Sequence, residues 1–383
     1  MGELTNLRTT IAVAAIGTVA VLVFALLPAI SGVLAERFSL DDIQTGFAAT
    51  SYFATYAVVT ASSGLWIRRF RWTRLLAIGF AAMVSGLLSC AFAESFGWAQ
   101  YSLAIVGAGA ALLFPISFAI ASDMQNTDRV FAIKLAAEQL VPAAMLLLLA
   151  GTIVIIGAYT DLFLGILLIV TIGSASILLV PDNVGEQENS SHSSTGGFFS
   201  GSFALVGLLV NFSGFAGLWA FLERIANENS LDAAFTGRWI ALGLVTSGIG
   251  PLCVAFIGER LDRRLAIIVA STVAVFSLLL LRGEISEVRF AITLFVLPLS
   301  YYFAVSYMLA IVADADYNGK VSGLMSFVLA FGAISGPALF GYFKSIDGPV
   351  LGAMAALLVI GAGIMVVVQM TLHSSVGKIG SKK

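Results

Sequence analysis

VGEQENSSHSSTGG, residues 184 to 197, interrupts a chain that is otherwise suited to an apolar solvent. Of 383 residues, 59% are hydrophobic and 11% are charged, against about 25% charged in an ordinary globular domain. A mean hydropathy of +0.99 is more apolar character than a soluble core can hide, so the composition implies an integral membrane protein. The Ser, Glu, Asn and Gly of the interruption mark a flexible linker. What lies on either side of it decides the fold.

A spanning helix needs about 20 mainly apolar residues. On that scale the sequence predicts spans at 10–34, 43–66, 74–93, 98–122, 130–156 and 161–180 before the linker. It predicts six more at 200–225, 234–257, 265–281, 288–313, 320–344 and 350–372. The expected architecture is all-α, with twelve transmembrane helices in two six-helix bundles: an N-terminal bundle over 1–183, a linker over 184–199 and a C-terminal bundle over 200–383. The first apolar run, Thr10 to Ala35, exceeds the about 7–15 residues of a signal-peptide core and reads as a span.

An even count in each half places both termini and the linker on one side. That side then holds Arg8, Arg68, Arg69, Arg71, Arg74, Arg129, Lys134, Arg260, Arg263, Arg264, Lys320, Lys378, Lys382 and Lys383, and the other holds Arg37, Arg224, Arg238, Arg282, Arg289 and Lys344. Basic residues accumulate in cytoplasmic loops. The richer side is therefore expected to be cytoplasmic, in a multi-pass protein of the cell's inner (plasma) membrane.

The halves read as diverged copies. Gly64 opens GLWIRRFRWTR after the second span and Gly258 opens GERLDRR after the eighth, 194 residues later. Pro142 of the fifth span and Pro337 of the eleventh lie 195 residues apart. Duplicated six-helix halves are the build of many secondary transporters. The two loops give the chain a resemblance to the major facilitator superfamily, whose motif after the second span is roughly Gly-x-x-x-Asp-Arg-x-Gly-Arg-Arg. Gly258, Asp262 and Arg263 match it. The first copy keeps Gly64 and Arg69, with Arg68 in the place of the Asp and Arg71 in that of the second Gly. The resemblance implies that this motif holds the cytoplasmic side closed. Asp262 would accept hydrogen bonds at the start of the fifth span, near Arg129, and the glycine would admit a close helix approach. GAGAALLFP, from Gly107 to Pro115, resembles a further family segment, with Leu103 where the family has an arginine. Gly323, Gly332, Gly336 and Pro337 of the eleventh span resemble a motif that family antiporters carry in the fifth. Here they read as helix-packing residues, because small side chains let membrane helices touch.

Charges inside a span cost about 2.5–3.5 kcal/mol each, so each one asks for a reason. In KLAAEQLVPA, residues 134 to 143, Lys134 can extend its stem towards the interface. Glu138, one turn deeper, has to face a cavity, find a partner or hold a proton. The offset between halves sets it opposite Ala333. Glu138 and Lys134 are the expected proton-coupling residues. Glu223 and Arg238 are expected to pair at the outer mouth, beside Trp219 and Trp239. Tyr52, Tyr56, Phe114, Phe118, Tyr301, Tyr302 and Tyr307 are the expected substrate-cavity residues, since a tyrosine in lipid needs a hydrogen-bond partner. Asp314 and Asp316 fall in a loop and read as solvated.

Nothing points to an enzyme, a cofactor or a metal. His192 and His373 stand apart, and Cys90 and Cys253 lie in separate apolar segments. A Gly-x-x-x-x-Gly-Lys-Ser/Thr loop, and with it an ATP-driven pump, is missing from the sequence. A net charge of −2 gives no attraction to nucleic acid. The expected partners are the lipid bilayer, a small-molecule substrate and protons, with the chain a monomer. The leading expectation is a secondary active transporter working by alternating access, proton-coupled, with export of an amphipathic compound favoured. Uptake of an organic acid or sugar is the second reading, and a non-transporting membrane receptor or assembly factor the third.

Overall fold

In hydrocarbon every backbone N–H and C=O has to be paired within its own segment, which leaves helices as the form open to these apolar runs. A computed structural model describes residues 2–40, 42–151, 158–180, 198–316, 320–346 and 348–380. The first half holds α1 (Gly2–Ala25), α2 (Leu27–Phe38), α3 (Asp42–Ala61), α4 (Ser63–Trp66), α5 (Trp72–Ala91), α6 (Phe96–Ser122), α7 (Thr127–Gly151) and α8 (Ala158–Ser174). The second holds α9 (Phe198–Glu228), α10 (Ala233–Ile257), α11 (Arg263–Leu279), α12 (Glu287–Asp314), α13 (Val321–Ser345) and α14 (Val350–Gly380). Short 3-10 turns follow α8 and α10.

Joining α1 to α2 and α3 to α4 matches these elements, in order, to the twelve predicted spans. The first break falls at Leu26, just ahead of Pro28, which has no N–H to continue the ladder. Residues 184–197 of the linker and 152–157 at the end of the predicted fifth span lie outside the described residues. Among the described residues, nine helices are long and apolar enough to cross a membrane, and the protein is a multi-pass membrane protein. The other three predicted spans fall on α3, α7 and α11. Of these, α7 carries Asp128, Arg129, Lys134 and Glu138, and α11 has 17 residues opening on Arg263 and Arg264. Ser95, Asp232 and Ser286 start α6, α10 and α12, each accepting from a backbone N–H of the first turn, the usual work of a short oxygen-bearing side chain at an N-cap.

The chain divides into two compact units, Met1–Asp123 with Val141–Ser190, and Met124–Leu140 with Ser191–Lys383. The first half of α7 thus belongs to the second unit. In the first unit α6 packs on α1, α3 and α5, and α5 on α8. In the second, α12 packs on α9, α10 and α11, α11 on α14, and α9 on α13 and α14. The fourth span of each half is its most enclosed, with 78% of the α6 window and 72% of the α12 window buried. The same packing plan is used twice.

Lipid tails are as apolar as leucine, so these helices are held by close packing rather than by a hydrophobic difference. A β-carbon at Gly109 of α6 would stand 2.6 Å from the Gly79 carbonyl of α5, and one at Gly107 would stand 2.7 Å from Thr55 Oγ1 of α3. Thr55 itself donates to the Ala104 carbonyl at 2.8 Å. In the second unit, Gly332 of α13 faces the Phe212 ring of α9, and a β-carbon at Gly336 would stand 2.6 Å from Gly217 N. Ser213 and Ser335 share a hydrogen bond of 2.9 Å across the same seam. Gly323 is buried at the start of α13, and Pro337 follows Gly336 inside it. Gly336→Ala therefore forces α9 and α13 apart, with an expected loss of about 1–3 kcal/mol. Gly97→Ala, where nothing lies within 4 Å of an added β-carbon, serves as the neutral control. Melting temperatures in detergent rank the two, and an unshifted Gly336→Ala would show that the seam has room to spare.

Candidate functional site

One side chain pair sets the site. Lys134 and Glu138 of α7 form an ion pair at i,i+4, and their side chains are 0% and 3% exposed. Helix α7 begins at Thr127, four residues ahead of Phe131, so Glu138 lies about 16 Å along the axis from the first helical residue. That is one residue from the centre of Thr127–Gly151. Lys134 is buried as deeply as its partner and does not reach an interface. Each charge supplies the compensation that the other needs in a medium without water.

The residues next to the pair are polar and come from two other helices. Ser247 of α10 donates to Gln139 Oε1 at 3.2 Å, and Tyr302 of α12 lies near Gln139 and Glu138. Tyr302 lies edge-on to Tyr301, ring centroids 5.3 Å apart. Tyr301 stacks face to face on Phe215 of α9 at 3.8 Å, and Phe215 stacks in turn on Trp219 at 5.7 Å. The result is an aromatic cluster, Phe215, Trp219, Tyr301 and Tyr302, with a polar end at Gln139 and Ser247. Phe215 and Trp219 were not among the predicted cavity residues, although their i,i+4 spacing was readable. The Tyr301 hydroxyl is buried without a hydrogen-bond partner.

The other predicted aromatics fall into two places. Tyr52 and Tyr56 of α3 stack at 5.8 Å, Tyr56 meets Phe114 of α6 at 6.5 Å, and Phe114 meets Phe118 at 4.9 Å. These four form a continuous ladder in the first unit, with the Tyr52 hydroxyl buried and without a partner. Tyr307 belongs elsewhere. It donates to the Gly258 carbonyl at 3.3 Å, beside the charged loop after α10.

That loop is arranged differently from the family pattern. Asp262 does not reach the start of α7. It caps its own helix, accepting from the backbone of Arg264 (2.8 Å) and Leu265 (3.3 Å), and it pairs with the Arg264 side chain at 2.7 Å. Those contacts, Arg264 first, hold its carboxyl well below the usual carboxylate range. Arg263 makes the long-range connection. Its Nε lies 2.9 Å from Asp128 Oδ1 of α7, and its Nη1 lies 2.5 Å from Asp314 Oδ2 at the end of α12. Asp314 is thus engaged. Asp316 is engaged too, accepting from the backbone of Val321 and Ser322 and from the Ser322 hydroxyl to start α13. Gly258 has φ +59° with no atom within 4 Å of an added β-carbon, so its role is backbone conformation and not close approach.

The first half repeats the connection. Arg68 forms two hydrogen bonds to Asp123, at 2.6 and 2.9 Å, and lies over the Trp72 ring at 5.3 Å. Asp123 ends α6 as Asp314 ends α12. By its contacts Arg68 takes the arginine's role and not the acid's. Gly64 lies in α4 and Arg69 is exposed. At the opposite end, Glu223 and Arg238 are both exposed, and the ion pairs among the described residues do not join them. Glu228 is the hub there, bound by Arg224 at 3.2 Å and by Lys344 of α13. Glu223 and Glu228 project in different directions from α9, being five residues apart on a 3.6-residue turn.

A family model described as Major Facilitator Superfamily matches residues 12–337. No curated protein matches the sequence. Solved structures similar in fold include a Major Facilitator Superfamily transporter, FucP, in the outward conformation, with a TM-score of 0.72 at 13% identity over 95% of this chain and 97% of that one. The E. coli fucose:proton symporter FucP in a variant form gives 0.70 at 13% identity, over 94% and 98%. The human organic anion transporter MFSD10 (TETRAN) gives 0.68 at 13% identity, over 97% and 100%.

The contacts around α11 rank its residues. Arg263→Gln removes a guanidinium shared by the buried Asp128 and by Asp314 and is expected to cost about 1–3 kcal/mol. Asp262→Asn keeps a good N-cap and gives up an exposed pair, so it stays within about 0.5 kcal/mol. A depressed folded pKa contributes stability above the unfolded value and loses it only as pH falls through the lower one. The Asp262→Asn difference is therefore flat from about pH 5 to about pH 8. Thermal melts across that range check both statements.

Proposed function

The chain belongs to the major facilitator superfamily, and on that premise we propose that it is a proton-coupled secondary active transporter of a small organic molecule, with Glu138 as the protonated group. The observation that carries this reading is the buried Lys134–Glu138 pair near the centre of α7. Ionisable residues at membrane depth are costly and mark ion and substrate pathways. A carboxylate is a group that a proton can neutralise without any other chemistry.

In this reading transport runs by alternating access, with the halves 1–183 and 200–383 as the moving bodies. The protein sits in the inner membrane, with the side rich in Lys and Arg in the cytoplasm and both termini there. Arg263 with Asp128 and Asp314, and Arg68 with Asp123, are the cytoplasmic gate contacts. The aromatic cluster of α9 and α12 and the ladder of α3 and α6 are the surfaces offered to the substrate, and their apolar faces with hydroxyl edges suit an amphipathic compound.

The test uses proteoliposomes and a labelled ligand taken from a thermal-shift screen of metabolites and drugs. Wild type accumulates the ligand under an imposed pH gradient, and the orientation of the effective gradient reads out import or export. Glu138→Gln is expected to keep counterflow exchange and to lose gradient-driven accumulation to the level of empty liposomes. Accumulation equal to wild type would remove Glu138 as the proton carrier.

A further inference from the structure

We propose that the Tyr301 hydroxyl selects the substrate, by donating a hydrogen bond to an uncharged acceptor oxygen on an apolar body. A ketone or an ether carries such an oxygen. The inference rests on the reading of the α9 and α12 cluster as a surface offered to the substrate, and adds to it the polar group that this surface recognises.

Helix α12 shows what a hydroxyl in a span ordinarily does. Ser300 and Ser306 turn back on their own helix, donating to the Val296 carbonyl at 2.7 Å and to the Tyr302 carbonyl at 2.9 Å. Tyr307 donates to the Gly258 carbonyl at 3.3 Å. Tyr301 differs. It stands at the centre of Glu287–Asp314, is 2% exposed, and its hydroxyl has no hydrogen-bond partner. A phenol oxygen sits at the far end of a rigid ring, beyond its own helix backbone, so its partner has to come from elsewhere. Buried polar groups in native proteins are paired with few exceptions, and a medium without water raises the cost of leaving one unpaired.

Packing asks only for the ring. Tyr301 lies face to face on Phe215, centroids 3.8 Å apart and planes 6° apart, and Phe215 stacks on Trp219 at 5.7 Å. Trp219 is held in turn by α10, where a β-carbon on Gly243 would stand 3.1 Å from its ring. A phenylalanine in place of Tyr301 would make the same stack, so the hydroxyl has no part in it. The stack also fixes the phenol oxygen, which lies in the plane of the ring, and leaves the O–H hydrogen to rotate. A donor fixed in place and free in direction suits an acceptor oxygen brought by a ligand. The rings around it offer no counter-charge, so an uncharged oxygen is the kind that can be buried there. Trp219, partly exposed at the end of the stack, is where an apolar body can add a further ring. The ligand meets the hydroxyl as the cluster opens.

The experiment is a thermal-shift titration of the full-length protein in detergent, comparing wild type with Tyr301→Phe, Tyr307→Phe and Trp219→Ala. The probes are acetophenone and 2-acetylnaphthalene, with ethylbenzene and 2-ethylnaphthalene as the same bodies without the oxygen. Each probe is compared between proteins in one detergent, so partition into the micelle cancels. Without a probe, Tyr301→Phe is expected to melt at or above the wild-type temperature, because it removes an unpaired hydroxyl. It binds the ketones about tenfold more weakly and the hydrocarbons as wild type does. Tyr307→Phe, which loses a hydrogen bond already made, melts lower and keeps the wild-type ketone affinity. Unchanged ketone affinity in Tyr301→Phe overturns the proposal, whatever its melting point. So does hydrocarbon binding that weakens as much as ketone binding, or a wild type that responds to neither ketone. The underlying reading of the surface fails separately, if Trp219→Ala binds ketones and hydrocarbons alike as wild type does.

Discussion

A cation and a carboxylate hold each other in the middle of a membrane helix, and neither has a reason to be there alone. Lys134 and Glu138 share one face of α7 because i and i+4 are neighbours on a helix, and the pair has no exposure to speak of. The surroundings are built on that neutrality. Gln139, the next residue, is bound from α10 and lies near Tyr302 of α12. Leu140 lies so close to Gly248 of α10 that a β-carbon there would stand 2.6 Å from Leu140 Cδ2. Apolar burial alone does not account for the position of α7. Its first half is placed by polar contacts and by a glycine that makes room for it.

The charged loops follow a second rule, that an arginine outdoes a carboxylate as a connector. The guanidinium fork can serve two acids from different helices at once. In the first half Arg68 serves Asp123 and stacks on Trp72. In the second half Arg263 serves Asp314 and also Asp128. The exposures decide which contact matters. Asp314 is 43% exposed and its pair with Arg263 counts for little in water, whereas Asp128 is 1% exposed and its pair with Arg263 is shielded from solvent. The symmetric part of the arrangement is therefore the weak part, and the added acid on α7 carries the energy.

Nine of the predicted spans were legible because apolar length is a property of composition, and the internal repeat was read from its landmarks, Gly64 with Gly258 and Pro142 with Pro337, which keep nearly one offset. What was not legible depended on direction in space. Counting from Gly64 puts Arg68 in the acid's slot, yet its contacts are the arginine's, since a short loop can shift by a residue without moving the charge it delivers. Asp314 and Asp316 look solvated when only chain neighbours are visible. Glu223 and Arg238 lie at adjoining helix ends, but Glu228, five residues further along α9, is the acid that Lys344 reaches. Phe215 and Trp219 contribute flat faces to the Tyr301 stack, a role that i,i+4 spacing in the sequence does not distinguish from ordinary helix packing. Gly258 was read as a contact glycine, and its φ of +59° gives a different reason for the same residue.

Two acids on one helix join these strands. Asp128 and Glu138 stand ten residues apart on α7, about 15 Å along its axis. One is bound by an arginine from α11, the other by a lysine of α7 itself. The outer acid ties α7 to a neighbouring helix, and the inner acid's charge is balanced by Lys134. A helix does not stretch, so a displacement of α7 that releases Arg263 from Asp128 also moves Glu138 past Ser247 and Tyr302. Conversely, any ligand that changes what Glu138 touches acts on the Asp128 contact through a rigid rod of helical turns. Coupling between these two places needs no chain of intermediate side chains. It needs α7 to have two positions and each acid to prefer one of them; the Arg263 contact gives Asp128 such a preference, whereas the Lys134–Glu138 pair moves with α7 and leaves any preference of the inner acid to its neighbours on α10 and α12.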